Sequence, residues 1–429
     1  MNTKLITLLA AALLLSLNAH AAHFETDRPW YLAGEAMRVS VVADDALIAY
    51  AELCDTQGLA AGVVVSLKGG AGTGLMELPS DLHSGYYLLS VYTRHDVRVA
   101  QQLIAVVNPL HKSMDDAMEW VAVAHPDSLS YPLAGAGESP TASALVGEKA
   151  PDVRETEGHI VRARIRNVFG GTTFKGSQIC PSLSIVGKQI HYFEGQMADD
   201  STTVFYTYGI HGRLPLVLSA ITSTGVSLPV EMISPFATLL PKRLPHLVFH
   251  YNRREVEGRS LAMQRHQKAI APVRREAQLG HYADDAAEDG VPLDYDEAVL
   301  GTHPDLSYNL DEYRQFLTIR EVLIEYVACV RKTRLDGVQR LIVRRDLETY
   351  DSALPTLVLI DGMPVCDVER LLDYDARRVH YINIYGGQYT FGHSAYNGIL
   401  SFVTHTGRLT NYPTEPGMQY LVYDFPECP

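Results

Sequence analysis

Between residues 22 and 108, β-forming runs recur at roughly ten-residue spacing, as in a sandwich of short strands. The runs are "MRVSVVA", "IAYAELCD", "VVVSLKG", "GLMELP" and "GYYLLSVYT". Turn material separates them, at Asp44-Asp45, Gln57-Gly58, Gly69-Gly70 and Ser84-Gly85. A second β block covers 156–240. In "HIVRARIR", Val161, Ala163 and Ile165 face one side while Arg162, Arg164 and Arg166 face the other. That period of two predicts a half-solvated strand. "SLSIVGKQIHYF", "TTVFYTYGI", "LPLVLSAIT" and "SLPVEMI" extend the pattern to a second sandwich.

The pattern lapses between and after these blocks. Residues 109–155 read as a linker rich in Pro, Gly, Ala and Ser, with a short helix at "MDDAMEWVAVA". Residues 241–310 read as a partly helical connector. Helix formers run from "REVEGRS" to a break at Ala271-Pro272, and "GHYADDAAEDG" is acidic and exposed.

From 311 to 408, helices interleave with strands, which predicts a small α/β domain. Thr318-Ile319-Arg320-Glu321 is a capping box, with Leu317 and Val322 at the staple positions. Ile319, Val322, Leu323, Tyr326, Val327 and Val330 follow a helical stripe, so the helix is expected to end near Lys332–Asp336, with Cys329 on it. "VQRLIVRR" and "TLVLID" are strands, Asp361-Gly362 is a turn with positive φ, and a short helix starts at Asp367. "VHYINIYGG" and "NGILSFVTHTG" are the last strands, and 409–429 reads as a tail. The fold class is therefore multi-domain and mainly β: two β-sandwiches followed by a small α/β domain.

Residues 1–21 change the picture of where the chain works. Lys4, the apolar "LITLLAAALLLSL" and Ala19-His20-Ala21 form a secretion signal, which predicts export. The first Cys is Cys54, so no lipid anchor is expected at the new N-terminus. No other apolar stretch is long enough for a membrane-spanning helix. The net charge of −14, −15 without Lys4, argues against nucleic acid as a partner. The five Cys lie far apart without a CxxC pair, which excludes a zinc ribbon.

No catalytic constellation stands out. HExxH, GxSxG and the P-loop are absent, and "GGAGTG" at 69–74 reads as a hairpin turn. His246 and His250 in "HLVFH" would share a face only on a helix, and that segment is β-forming. "DYDEAVLG" and "DYDARR" lack the Gly and terminal Glu of a calcium loop. The 24 Tyr cluster inside strands, as core or cross-strand pairs, with a carbohydrate-binding platform as the alternative. No catalytic residue, cofactor or metal is expected, and the chain reads as a non-enzyme.

Two resemblances add to this reading. Val358-Leu359-Ile360-Asp361-Gly362 with Pro364-Val365, then Ile382-Asn383-Ile384 with Tyr385-Gly386, then Ala395 to Gly407 through Gly398 and Thr404, stand in order. This C-terminal domain resembles the plug domain of TonB-dependent outer-membrane receptors. The resemblance implies that Asp361, Gly362, Pro364, Tyr385, Gly386, Gly398, Thr404 and Gly407 are its structural or interaction residues. "TDRPWYLAGEAMRVSV", with Asp27, Pro29, Tyr31, Gly34 and Glu35, and "ELPSDLHSGYYLLSVYT" resemble the second macroglobulin-like domain of alpha-2-macroglobulin-type proteins. The Cys-Gly-Glu-Gln thioester motif of that family is absent.

A receptor barrel of about 22 strands needs several hundred residues, and 22 remain after Gly407. The expectation is an exported accessory or scaffold protein of the Gram-negative envelope, periplasmic and associated with the outer membrane. Its plug-like domain would dock on an outer-membrane barrel or another envelope protein. The alternative is a surface adhesin or glycan-binding protein.

Overall fold

The computed structural model describes residues 22–44, 46–94, 99–108, 118–122, 155, 158–187, 190–278, 291, 295–335, 338–344, 354–391 and 394–427. The expected secretion signal at 1–21, "GHYADDAAEDG", Cys428 and most of the expected 109–155 linker lie outside the described residues. The chain is mainly β, with several sheets. It forms two compact units: residues 1–159 with 235–271 and 426–429, and residues 160–234 with 272–425. Among the described residues no helix is long and apolar enough to cross a membrane.

In the first unit, every run singled out in 22–108 becomes a strand. Ala36–Val42 lies between His23–Thr26 and Ala71–Glu77 in a three-stranded sheet. A five-stranded sheet has the order Trp30–Leu32, Ala100–Val107, Gly85–Tyr92, Ile48–Cys54, Leu59–Ser66. Met37, Val39 and Val41 point inward at alternate positions and share a core with Leu53, Val65, Val91 and Val106. The period of two thus builds a sandwich.

Two expectations change in this unit. Met118–Ala122, expected as helix, is a strand paired in parallel with Leu247–Tyr251. A partner strand distant in sequence overrides the local helix formers. The connector at 241–310 is also not separate throughout. Phe249 packs edge-on against Trp30, with ring centroids 4.9 Å apart. The helix Arg253–Gln278 brings the Arg259 guanidinium over the Trp30 ring at 3.7 Å, while its Nε donates to Glu35 Oε1 at 2.9 Å. That helix passes through the expected break at Ala271-Pro272. A proline removes one backbone donor, which the bonds of a long helix on either side can outweigh.

The second unit holds a sandwich and the α/β domain. One sandwich sheet runs Gln196–Met197, Thr202–Thr207, His159–Ile165, Val230–Ile233. The other runs His191–Glu194, Ile179–Ile185, Gly212–Thr222, Gln419–Phe425. Val161, Ala163 and Ile165 are buried, as their alternation with the arginines requires. The expected tail at 409–429 supplies this sandwich with an edge strand, since Gln419–Phe425 pairs antiparallel with Gly212–Thr222. Phe425 is buried in the sandwich core, which explains why the segment docks rather than trails.

The α/β sheet has the order Leu306–Asn309, Val379–Phe391, Ser394–Thr404, Leu357–Ile360, Met363–Pro364. Leu357–Ile360 runs parallel to Ser394–Thr404. Val358 and Ile360 face the helices Ile319–Glu325 and Val368–Leu372, whereas Leu357 and Leu359 face Tyr385, Tyr396 and Ile399. The strand is covered on both sides, so it is continuously apolar. The capping box forms as read: Thr318 Oγ1 accepts from the Glu321 N–H, and the Glu321 carboxylate accepts from the Thr318 N–H at 3.2 Å. The helix stops at Glu325, short of the expected end. Val330–Leu335 is a strand, paired with Val338–Val343, and Cys329 lies in the turn before it. The stripe from Val327 onward is apolar because it meets the core, not because it is helical.

Candidate functional site

The resemblance points first to the Asp361-Gly362 turn. Both residues have positive φ, 46° and 78°. Asp tolerates that region better than most residues, and Gly adopts it freely. A Cβ on Gly362 would lie 3.2 Å from Ile190 Cβ. On one side of the turn, Pro364 pairs with Leu359, and the Val365 N–H donates to Val358 O at 2.9 Å.

On the other side, the Asp361 carboxylate organises the segment that follows the Ser394–Thr404 strand. Its Oδ1 accepts from the Thr404 N–H at 2.8 Å. Its Oδ2 accepts from Thr404 Oγ1 at 2.7 Å and from the Leu409 N–H at 2.7 Å. Thr404 Oγ1 in turn accepts from the Gly407 N–H at 3.1 Å. The Gly407 carbonyl accepts from the Gly187 N–H and the Tyr295 hydroxyl, both at 3.0 Å. Asp361 is fully buried. Burial pushes its carboxyl up to about 6, against the downward pull of the Thr404 and Leu409 donors.

Tyr385, Gly386 and Gly398 meet at a second place on the same sheet. Tyr385-Gly386 lies at a bulge inside the Val379–Phe391 strand, where register shifts between Tyr385 and Gln388. At that bulge the Gly386 N–H donates to Asp305 Oδ2 at 2.6 Å. Gly398 has a φ of 80°, and a Cβ there would lie 2.9 Å from Val343 Cβ. The structure therefore brings Asp361, Gly362, Thr404 and Gly407 together, with Pro364 beside them, and places the other three apart. The Asp361 carboxylate is spent on the Thr404 and Leu409 groups, and the Gly386 N–H on the Asp305 side chain.

Features without a sequence signal also appear. Asp296 is buried and accepts from Asn383 Nδ2 at 3.0 and 3.1 Å, with Ser307 Oγ donating to Asn383 Oδ1 at 2.6 Å. Burial holds the Asp296 carboxyl above its usual range. A cavity of about 460 Å³ opens in the second unit, lined by residues that include Cys180, Tyr192, Arg340, Cys366 and Tyr396. Its size suits a small ligand. Burial raises the Cys366 thiol well above its usual value, which favours the protonated form in the cavity wall. One group of metal-ligating side chains converges among the described residues: Asp311, His380 and His405. His246 precedes the Leu247–Tyr251 strand that carries His250, so "HLVFH" forms no helical ligand pair.

No family model matches the chain, and no curated relative does. Similar solved structures include the native alpha-2-macroglobulin of Escherichia coli, at 15% identity and a TM-score of 0.19, covering 51% of this chain and 14% of that one. A biofilm-associated protein's BSP domain is similar at 10% identity and a TM-score of 0.17, over 52% and 30% of the two chains. The Escherichia coli adhesin FdeC is similar at 12% identity and a TM-score of 0.18, over 54% and 65%. This chain spans less than two thirds of each of these structures.

Proposed function

We propose that the chain is a non-enzymatic scaffold protein exported to the Gram-negative envelope. Its module at 311–408, plug-like in motif, docks on an outer-membrane barrel or another envelope protein. The observation that carries this reading is apolar surface on that module. Leu317 is 63% exposed and Ile324 74% exposed, at the two ends of a helix whose Ile319, Val322 and Leu323 are buried. Both side chains are available to a partner, and contiguous apolar surface marks protein contacts. The polar groups of Asp361 and Thr404 are spent on the turn that follows the Ser394–Thr404 strand, which fits a frame for a contact surface better than a reacting centre. In a crosslinked pull-down from intact cells, the wild-type chain recovers an outer-membrane protein. The variant with Leu317→Asp and Ile324→Asp loses it, and equal recovery by both would remove this surface from the account.

A second reading rests on Tyr206 and Tyr208, two exposed aromatics at alternate positions on the second sandwich. They fit a glycan-binding or adhesin surface. Protease treatment of intact cells separates the readings, because an adhesin is cleaved and a periplasmic scaffold is protected.

A further inference from the structure

We propose that Asp311, His380 and His405 form a binding site for one divalent zinc-like metal ion. The three side chains come from separate elements. Asp311 lies in the short turn of helix Leu310–Glu312, whose cap Asn309 accepts from the Asp311 N–H at 3.2 Å. His380 sits where the register of the sheet slips between Val379 and Tyr381, so a bulge re-aims its ring. His405 follows the end of the Ser394–Thr404 strand, and its N–H donates to Arg378 O at 3.1 Å.

Their donor atoms lie close together. His405 Nε2 is 3.0 Å from Asp311 Oδ1, and His380 Nδ1 is 3.6 Å from Asp311 Oδ2. One ligand atom from each residue falls within 4.8 Å of the others. A tetrahedral zinc ion with bonds of about 2.0–2.2 Å separates its ligand atoms by about 3.3–3.6 Å.

The surroundings fit a ligand set. The Nδ1–H of His405 donates to Arg378 O at 3.0 Å, which turns Nε2 toward the site, as outer-shell carbonyls do for metal-bound imidazoles. His380 Nδ1 is buried and finds no hydrogen-bond partner among the described residues. A plain ion pair between His405 and Asp311 uses two of the residues and leaves His380 aimed at the same carboxylate unexplained. The side chains of Asp311, His405 and His380 are 47%, 38% and 18% exposed, so solvent reaches the site and can complete the coordination. Two imidazoles and one carboxylate suit zinc and its neighbours, not magnesium or calcium.

The test titrates the full chain, stripped with chelator, with zinc chloride in a calorimeter. The expected result is one saturating equivalent of zinc, no response to magnesium, and weaker binding in His380→Gln, His405→Gln and Asp311→Asn. Losing a direct ligand should exceed the about 10–100-fold cost of losing an outer-shell partner. Zinc affinity unchanged in all three variants overturns the site and assigns the ion to other histidines. Ring-nitrogen NMR of the wild-type chain guards against misfolded variants. Zinc should shift His405 Nε2 and His380 Nδ1, and an absence of both shifts also overturns the proposal.

Discussion

Asp361 gives the α/β module a pH dependence that can be worked from its burial. Its carboxyl titrates near 6 in the folded chain, against 3.8 when exposed. The folded state keeps the proton where the unfolded state has released it. The stabilisation is therefore full below about pH 4 and is lost as pH rises to about 6. A shift of about two units corresponds to about 3 kcal/mol. Asp361→Asn removes the titrating group and turns an amide N–H₂ toward Thr404 or Leu409. One buried donor then loses its acceptor, at about 1–3 kcal/mol. The assay is hydrogen exchange by mass spectrometry in moderate urea from pH 4 to 7.5, corrected for intrinsic rates, on peptides covering 357–364 and 399–409. The wild type should be more stable than the variant at pH 4, with the difference shrinking by about 3 kcal/mol by pH 7. A difference that stays constant over that range refutes the assignment of the raised carboxyl to Asp361.

Gly362→Val should destabilise the same peptides by about 1–3 kcal/mol, because a β-branched residue is strained at a φ of 78° and its Cβ meets Ile190. Unchanged exchange there would contradict the turn. In the first unit, the Glu155 carboxylate accepts from Arg94 Nη1 at 2.7 Å, lies 3.1 Å from His159 Nδ1, and is buried with both. Burial would raise Glu155, yet His159 and Arg94 hold it below its usual range. Glu155→Ala strands the Arg94 charge and should cost about 3–5 kcal/mol. Trp30 and Trp120, the chain's two tryptophans, both lie in this unit, so the urea midpoint of tryptophan fluorescence reads the loss.

The sequence carried whatever is decided locally. The capping box at Thr318, the alternation of Val161, Ala163 and Ile165, and the Asp361-Gly362 turn each depend on neighbours a few residues away. What depends on distant strands did not show. Met118–Ala122 becomes a strand only beside Leu247–Tyr251, and Gln419–Phe425 only beside Gly212–Thr222. The helix from Ile319 stops early because Val330–Leu335 is claimed by its hairpin partner, which an apolar stripe cannot reveal. At the candidate site, Thr404 and Gly407 could be marked from a motif, but their link to the Asp361 carboxylate needed the fold. Asp311, His380 and His405 had no spacing signal at all, since a helix turn, a bulge and a strand end assemble them.

The measurement closest to the central claim is photo-crosslinking from position 324 in living cells. A photoreactive residue replaces Ile324 in the full chain, with a second chain carrying it at buried Leu323 as the control. The account predicts an adduct with an outer-membrane protein from 324 and none from 323. No adduct from 324, or the same adducts from both positions, would contradict docking through this module.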